Sequence, residues 1–306
     1  MMGGMPRLGA VEGGGTKFVC AVGTGPERVL ARARIETTTP QETLDRVCDF
    51  LLRQAAEAPL DAVGVACFGP LELDPRSPKQ GSLLATPKPG WSGAPVGRTL
   101  RERLGVPVVV DTDVNGAALA EARWGAARDC DPALYLTIGT GIGGGAVIDG
   151  RPLHGLLHPE MGHILLPRLS WPDGRPDDFP GACPFHGACF EGLAAGPALN
   201  ARAGASLESL DPEHPLWELA AGYIATALAT YVLVLAPQRI VVGGGVPQGG
   251  HLLRRVRRRL PAVLAGYVKR PQVDSGAGEY VVAPRFGQDA GVMGALALAQ
   301  SAVAEA

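Results

Sequence analysis

The chain has 306 residues, of which 46% are hydrophobic, 5% aromatic and 19% charged, with 43 glycines. That is the make-up of a globular fold with an Ala/Val/Leu core, and it excludes disordered, collagen-like and disulfide-framework chains. A formal net charge of -2 provides no field to gather phosphate backbone or an anionic membrane, so neither nucleic acid nor membrane is an expected partner.

Met1-Met2-Gly3-Gly4-Met5-Pro6-Arg7 lacks the basic and long apolar regions of a secretory leader, and a cytoplasmic location is expected. An apolar run from Leu8 leads through Glu12 into Gly13-Gly14-Gly15-Thr16-Lys17 and out along Phe18 to Val22, which reads as strand, glycine turn, returning strand. A third strand is predicted from Val29 to Ile35. It is followed by an amphipathic helix from Pro40 to about Ala56 with Leu44, Val47, Cys48 and Leu51 on one face. Buried strands are predicted at Asp61 to Cys67 and Val106 to Val110; the second enters Asp111-Thr112-Asp113 and a helix from about Asn115 to Ala127.

The scheme then restarts. Ala133 to Ile148 repeats strand, turn and strand, with Thr137, Gly139-Thr140-Gly141 and Gly143-Gly144-Gly145 in the places of the first set. An irregular insert from about His154 to Gly192 precedes a helix from Trp217 to Ala236, a strand from Arg239 to Val242, the turn Gly243-Gly244-Gly245 and a closing helix near Asp289 to Val303. The uncharged stretch Leu219 to Ala236 contains Gly222, Thr226, Thr230 and many alanines, which suits a buried core helix better than a membrane span. The basic run Arg254 to Arg259 reads as a solvated helix face. Cys20, Cys48 and Cys67 lie in apolar runs typical of buried reduced thiols. Strands alternating with helices in two similar halves predict an α/β protein of two lobes with a cleft between them. The expected division is 1–117 plus the C-terminal helix 290–306 against 118–289, the latter carrying the insert at about 154–192.

Gly139-x-Gly141-x-x-Gly144 matches the dinucleotide fingerprint by letter. However, Gly145-Ala146-Val147-Ile148 continues as strand where that fold needs a helix. A glycine hairpin is another phosphate cradle, because backbone amides reach the anion when no Cβ intervenes. Gly243 to Gly245 offers bare backbone for the flat face of a nucleotide, or is a Rossmann-type loop. Asp113, after a buried strand and ahead of a helix N-terminus whose dipole favours a carboxylate, suits a general base or a simple helix cap. Asp111 reads as a turn residue, and His154 and His214 as surface or turn histidines. Cys183-x-x-His186-x-x-Cys189, completed by His163 or His158, is a Cys2His2 set of the class that favours zinc, with a redox cysteine pair as the competing reading. Trp91 reads as a core aromatic, a sugar platform or a dimer contact.

Glu12-x-Gly14-Gly15-Thr16-Lys17, Thr137-x-Gly139-Thr140-Gly141-x-Gly143-Gly144 and Gly243 to Gly245 together resemble the phosphate and adenosine motifs of the ROK sugar kinases. Phe68-Gly69-Pro70, Asp74-Pro75, Thr86-Pro87-Lys88-Pro89-Gly90-Trp91 and Asp111-Thr112-Asp113-Val114-Asn115 resemble their bacterial fructokinase branch. Glu12 departs from the pattern, since many members carry aspartate there. The resemblance implies two actin-like ATPase (ribonuclease H-like) lobes and ATP-dependent phosphorylation of a hexose, D-fructose to fructose 6-phosphate. A glucose or mannose kinase and a non-catalytic sugar-sensing regulator are its alternatives. It implies Asp113 as base, and Glu160, His163, Glu191 and Thr112 as sugar ligands. ATP with Mg2+ would be held by Glu12, Gly14, Gly15, Thr16, Lys17, Thr137, Gly139, Thr140, Gly141, Gly243, Gly244 and Gly245. It favours His163 over His158 as fourth ligand of a structural Zn2+ with Cys183, His186 and Cys189, and a homodimer is the expected assembly. Because the glycine turns lie outside the insert, loss of the metal is expected to spare nucleotide binding.

Overall fold

The computed structural model describes residues 5–274 and 277–304. Residues 1–4, on which part of the leader argument rests, and 305–306 of the expected first lobe lie outside the described residues. Two compact units are present, one comprising Met1–Gly125, Gly150–Pro159 and Gln288–Ala306, the other Ala126–Asp149 and Glu160–Gly287. This differs from a break at 117/118 for two reasons: a continuous helix crosses that point, and His154 and His158 bond the segment 150–159 to the first unit.

The first unit contains β1 (Leu8–Gly13), β2 (Lys17–Gly25), β3 (Arg28–Glu36), α1 (Pro40–Glu57), β4 (Ala62–Cys67), α2 (Val96–Leu104), β5 (Val108–Thr112) and α3 (Asp113–Trp124). Its sheet has the order β3-β2-β1-β4-β5, with β1 antiparallel to β2 and parallel to β4, and β4 parallel to β5. Helix α1 starts where Thr39 caps the Glu42 amide and Pro40 presets the first turn, and it buries Leu44, Val47, Cys48 and Leu51. Trp91 is fully buried, stacks on Phe18 at 5.4 Å and donates its indole N–H to the Thr38 carbonyl. It is therefore a core aromatic. The register sets Gly13 beside Cys67 and Cys67 beside Thr112, so β1, β4 and β5 end level at one sheet edge.

The second unit repeats this core. β6 (Ala133–Ile138) pairs antiparallel with β7 (Ile142–Ile148), after which the chain turns into the two-residue β8 (Arg151–Pro152). After the insert come α4 (Phe190–Ala194), α5 (Gly196–Ala203), α6 (Leu216–Leu235), β9 (Arg239–Gly243), α7 (His251–Val263), α8 (Pro271–Asp274) and β10 (Val281–Val282). β9 lies parallel to β6 and to β10, so β7-β6-β9-β10 reproduces β2-β1-β4-β5 in order and direction. The chain closes with α9 (Ala290–Ala304), part of the first unit. Helix α6 is long and apolar enough to cross a bilayer, with a mean hydropathy of 1.6, but most of its length is buried inside the protein, as a core helix requires.

The basic run on α7 departs from expectation. Arg255 is buried and reaches both Glu213 and Glu218 at 2.9 Å, while Arg258 and Arg259 each approach Glu218 at 2.7 Å. Burial raises the Glu218 carboxyl, but the three guanidiniums, Arg259 foremost, outweigh it and hold it below the usual range. Of the run's arginines only Arg255 is buried, but three of them tie α7 to Glu218 of α6, an acid some forty residues away in sequence.

Candidate active site and metal centre

The β1–β2 turn closes on itself. The Gly14 N–H donates to the Lys17 carbonyl at 2.9 Å, and the Thr37 hydroxyl donates to the Gly14 carbonyl at 2.8 Å. A Cβ on Gly14 would sit 2.8 Å from the Lys17 oxygen, so glycine there serves the turn itself. Gly15 differs: it is exposed, needs no left-handed backbone, and a Cβ on it would meet nothing within 4 Å. Thr16 beside it is exposed and Lys17 half-buried. Glu12, next to last in β1, presses its carboxyl against Gly291 in the first turn of α9, where any side chain would collide with it. Burial holds its pKa above the usual carboxylate range; Lys17 opposes that shift and the Asp113 carboxylate reinforces it.

Asp113 is exposed and occupies the first turn of α3 immediately beyond β5, on the edge where Gly13, Cys67 and Thr112 end level. It is not the helix cap. That role belongs to Thr112, whose buried hydroxyl accepts the Asn115 N–H at 3.1 Å, so Thr112 has a structural use of its own beside the sugar role expected of it. Asp113 accepts the Val114 N–H at 2.9 Å.

Asp111 is more than a turn residue. It is buried in β5 and accepts the Thr112 N–H at 2.7 Å, the Asn115 amide at 2.8 Å and His154 Nε2 at 2.9 Å. The bond to Asp111 raises the His154 pKa, against partial burial that lowers it. Sequence reading missed this cluster: Asp111-x-x-x-Asn115 carries a helical spacing, but nothing in the sequence joins it to a histidine 39 residues on.

In the second unit Gly139-Thr140-Gly141 connects β6 to β7, and Gly143 to Gly145 lie inside β7, which removes the dinucleotide-fingerprint reading. Thr137 is half-buried at the place corresponding to Glu12, and Thr140 is exposed at the tip. The turn has one internal bond, Gly139 N–H to the Gly141 carbonyl at 2.9 Å; its other anchors come from outside. Val246 N–H donates to the Ile138 carbonyl at 2.9 Å, Gly196 N–H to the Gly139 carbonyl at 2.7 Å, and Ile142 N–H donates to Glu191 Oε2 at 2.9 Å. A Cβ on Gly141 would lie 2.7 Å from that same Glu191 oxygen. Gly141 therefore makes room for Glu191.

Of the third turn, Gly243 is buried against Tyr135, and Gly244, at φ +93, packs flat on the Ile138 backbone. Gly245 alone is exposed with open space where a side chain would stand, and the backbone of Gly245 lies beside Gly139.

The insert brings His163, Cys183, His186 and Cys189 together, with one ligand atom from each within 4.8 Å of the others. His163 Nδ1 stands 3.7 Å from Cys183 Sγ and 3.6 Å from Cys189 Sγ, and His186 Nδ1 stands 3.8 Å from Cys183 Sγ. Zinc bonded at about 2.0–2.3 Å by nitrogen and sulfur gives tetrahedral edges of about 3.3–3.8 Å, so the donors fit that ion in type and spacing. Burial pushes the Cys189 thiol up. His158 is elsewhere: its Nε2 accepts the Leu71 N–H at 3.2 Å inside the first unit. Cys189 begins α4, which puts Glu191 in the first turn of that helix, while the 3-10 turn Met161–His163 carries His163 next to the exposed Glu160.

A profile described as the ROK family matches residues 8–302. The chain belongs to the ROK family. A fructokinase from Zymomonas mobilis subsp. mobilis is 44% identical to this ROK protein over 299 residues, covering 96% of each chain. The solved structure of a ROK hexokinase from Thermus thermophilus matches with a TM-score of 0.78 at 28% identity, over 98% of this chain and 100% of that one. A ROK glucokinase from Streptomyces griseus, solved with glucose and AMPPNP, matches with a TM-score of 0.71 at 27% identity, over 96% and 99%. The fold is that of ROK sugar kinases.

Proposed function

We propose that this ROK protein transfers the γ-phosphoryl group of ATP to the 6-hydroxyl of D-fructose in the cytoplasm, releasing ADP and fructose 6-phosphate. The observation that carries this reading is the edge at which β1, β4 and β5 end level. There, one sheet presents both a glycine turn with an open face at Gly15 and a carboxylate, Asp113, one residue beyond the last strand. The carboxyl ends of parallel strands are where open α/β sheets bind ligands. The 44% identity to a fructokinase over nearly the whole chain supports fructose over glucose as acceptor, since the matched glucokinase structure is at 27%.

In this mechanism Asp113 accepts the proton of the fructose hydroxyl as its oxygen forms the new bond to phosphorus, and ADP leaves on the opposite side. The bond that caps α3 is made by Thr112 and not by this carboxylate. The amides of Gly15 and Thr16 and the hydroxyls of Thr16 and Thr140 serve the phosphates; Lys17 adds positive charge; and Gly139 with Gly245 leaves a bare surface for the nucleoside. Gly14, Gly141, Gly243 and Gly244 shape these turns from within. Glu160, His163 and Glu191 take sugar hydroxyls, with Thr112 supporting the acceptor edge through the helix cap. His163 faces the two thiols through Nδ1, which leaves Nε2 for the sugar. Glu12 and Thr137, at corresponding strand positions in the two units, are the residues assigned to magnesium, which would supply charge neutralisation on the phosphates. His163, Cys183, His186 and Cys189 would hold a zinc ion, which would order the insert and so orient its sugar-facing residues.

The test is a coupled ADP-release assay of purified protein with ATP across fructose, mannose and glucose. A kcat/KM for fructose at least tenfold above the other two is expected. A preference for glucose or mannose would reassign the acceptor, and no turnover with any hexose, together with sugar binding, would make the chain a sugar-sensing protein.

A further inference from the structure

The peptide of Ile142, the first residue of β7, is held from both sides by the two segments that carry the metal ligands. Its N–H donates to Glu191 Oε2 at 2.9 Å, and Glu191 follows Cys189 by two residues in the first turn of α4. Its carbonyl lies against Gly162, immediately before His163, so closely that any side chain at 162 would collide with that oxygen. Gly144 of β7 packs on Met161 in the same way, with a Cβ there falling 2.6 Å from the Met161 sulfur. The Met161 carbonyl in turn accepts the Tyr231 hydroxyl from α6 at 2.5 Å.

Both glycine turns are closed by a backbone bond, Gly14 N–H to Lys17 in the first and Gly139 N–H to Gly141 in the second. The second has an added grip, because the N–H of Ile142, where the chain leaves the turn, is taken by a side chain from the insert. Ile142 is buried, so its N–H loses a charged acceptor when Glu191 moves, and a donor left unmade in such a place is disfavoured. The four ligands fix the positions of Cys189 and His163, and through them both grips on Ile142.

We infer that Glu191 is a positioning residue that makes the conformation of the Gly139-Thr140-Gly141 turn depend on the occupied metal centre, so that metal loss weakens nucleotide binding as well as sugar binding. This rests on the reading of that turn as a nucleotide site. It reverses the expectation that the turn, lying outside the insert in sequence, is independent of it.

Two measurements test the inference. Amide hydrogen exchange at Ile142 in the wild-type protein, before and after chelation of the metal, reads the link without any substitution or nucleotide. Exchange is expected to accelerate at least tenfold on chelation, and unchanged protection overturns the inference. Calorimetric titration with AMPPNP, without sugar, then compares metal-loaded wild type, chelated wild type, Glu191→Gln and Glu191→Ala. Glu191→Ala and chelated protein should bind about tenfold more weakly. Glu191→Gln, whose amide oxygen can accept the Ile142 N–H, should stay within about threefold of wild type. Nucleotide affinity unchanged by chelation or by Glu191→Ala would overturn the link while leaving the kinase reading in place. Wild type that fails to bind AMPPNP, yet shows the exchange response, would remove the kinase reading and keep the structural link.

Discussion

Replacing Asp113 with asparagine tests chemistry apart from folding, because the proposed base and the cap of α3 are different residues. The cap of α3 is the Thr112 hydroxyl on the Asn115 N–H at 3.1 Å, and the bond that Asp113 accepts from the Val114 N–H can be taken over by an amide oxygen. Through the helix dipole, Asp113→Asn removes one negative charge from the first turn, worth about 0.3–1 kcal/mol at an exposed site. A loss of that size moves Tm by roughly 1–4 °C in a chain of this length. What it removes from catalysis is the group that accepts the proton, a loss of about 10²–10⁴ in rate, equivalent to roughly 3–5 kcal/mol of barrier. The two losses thus differ severalfold. The assay is kcat and both Michaelis constants by coupled ADP release, with thermal unfolding on the same preparations. Expected are a kcat below a hundredth of wild type, both Michaelis constants within about threefold, and a nearly unchanged Tm. Retention of more than a tenth of kcat would refute the base assignment, and a Tm loss above about 8 °C would show that Asp113 is structural after all.

At Gly15 the space around a new Cβ is empty, so Gly15→Val should leave Tm unchanged and raise the Michaelis constant for ATP about tenfold; an unaltered constant would show that no phosphate approaches there. Purified protein should carry about one zinc per chain, and Cys183→Ser should lose it together with fructose affinity, since ligation contributes on the order of 10–16 kcal/mol to ordering such a site; metal analysis and sugar titration check both. His154 gains its partner Asp111 on folding and its pKa rises, so the pair's contribution is complete below the ordinary histidine value of 6.5 and fades as pH rises through the elevated one. The Tm gap between wild type and His154→Gln should accordingly be larger at pH 5.5 than at pH 9, and a gap independent of pH would show that the imidazolium is not what matters. Arg255→Ala should cost about 1–2 kcal/mol in denaturant unfolding by removing the buried guanidinium's bonds to Glu213 and Glu218, while Arg258 and Arg259 keep Glu218 paired, whereas exposed Arg254→Ala should cost under about 0.5 kcal/mol.

The duplicated core was readable because its punctuation is local. Glycine turns, buried apolar runs and the helix face of Leu44, Val47, Cys48 and Leu51 each act over a few residues, and both halves show the same succession. The shifts in boundary have long-range causes. β5 runs on through the polar pair Asp111-Thr112 because these residues pair with Ala66 and Cys67 of β4, contacts that composition does not report. α3 then starts at Asp113, earlier than its apolar pattern, because the Thr112 hydroxyl is available as a cap. The metal set was legible for the opposite reason: three of its ligands fall within seven residues, and only the choice between His158 and His163 needed the fold, which turns His158 to the Leu71 amide.

Glycine is the least legible letter in this sequence, because identical residues in the turns answer to different constraints. Gly14 is required by the Lys17 carbonyl, Gly141 by the Glu191 carboxylate, Gly243 by the Tyr135 hydroxyl and Gly244 by Ile138 together with a left-handed backbone. Each of these is accounted for by the chain alone, so none of them argues for a ligand. Gly15 and Gly245 have no such account: both are exposed, neither has a left-handed φ, and neither has a neighbour within 4 Å of a built Cβ. Ordinary residues in such positions would narrow the backbone choices of the unfolded chain and so stabilise the fold by about 0.4–1 kcal/mol. A turn glycine for which the fold has no use leaves the backbone open to close approach by something outside the chain. Among the glycines of these turns, the open one in each unit follows the end of a central strand of the sheet, β1 in the first and β9 in the second, where phosphate and nucleoside are placed by the proposed reaction.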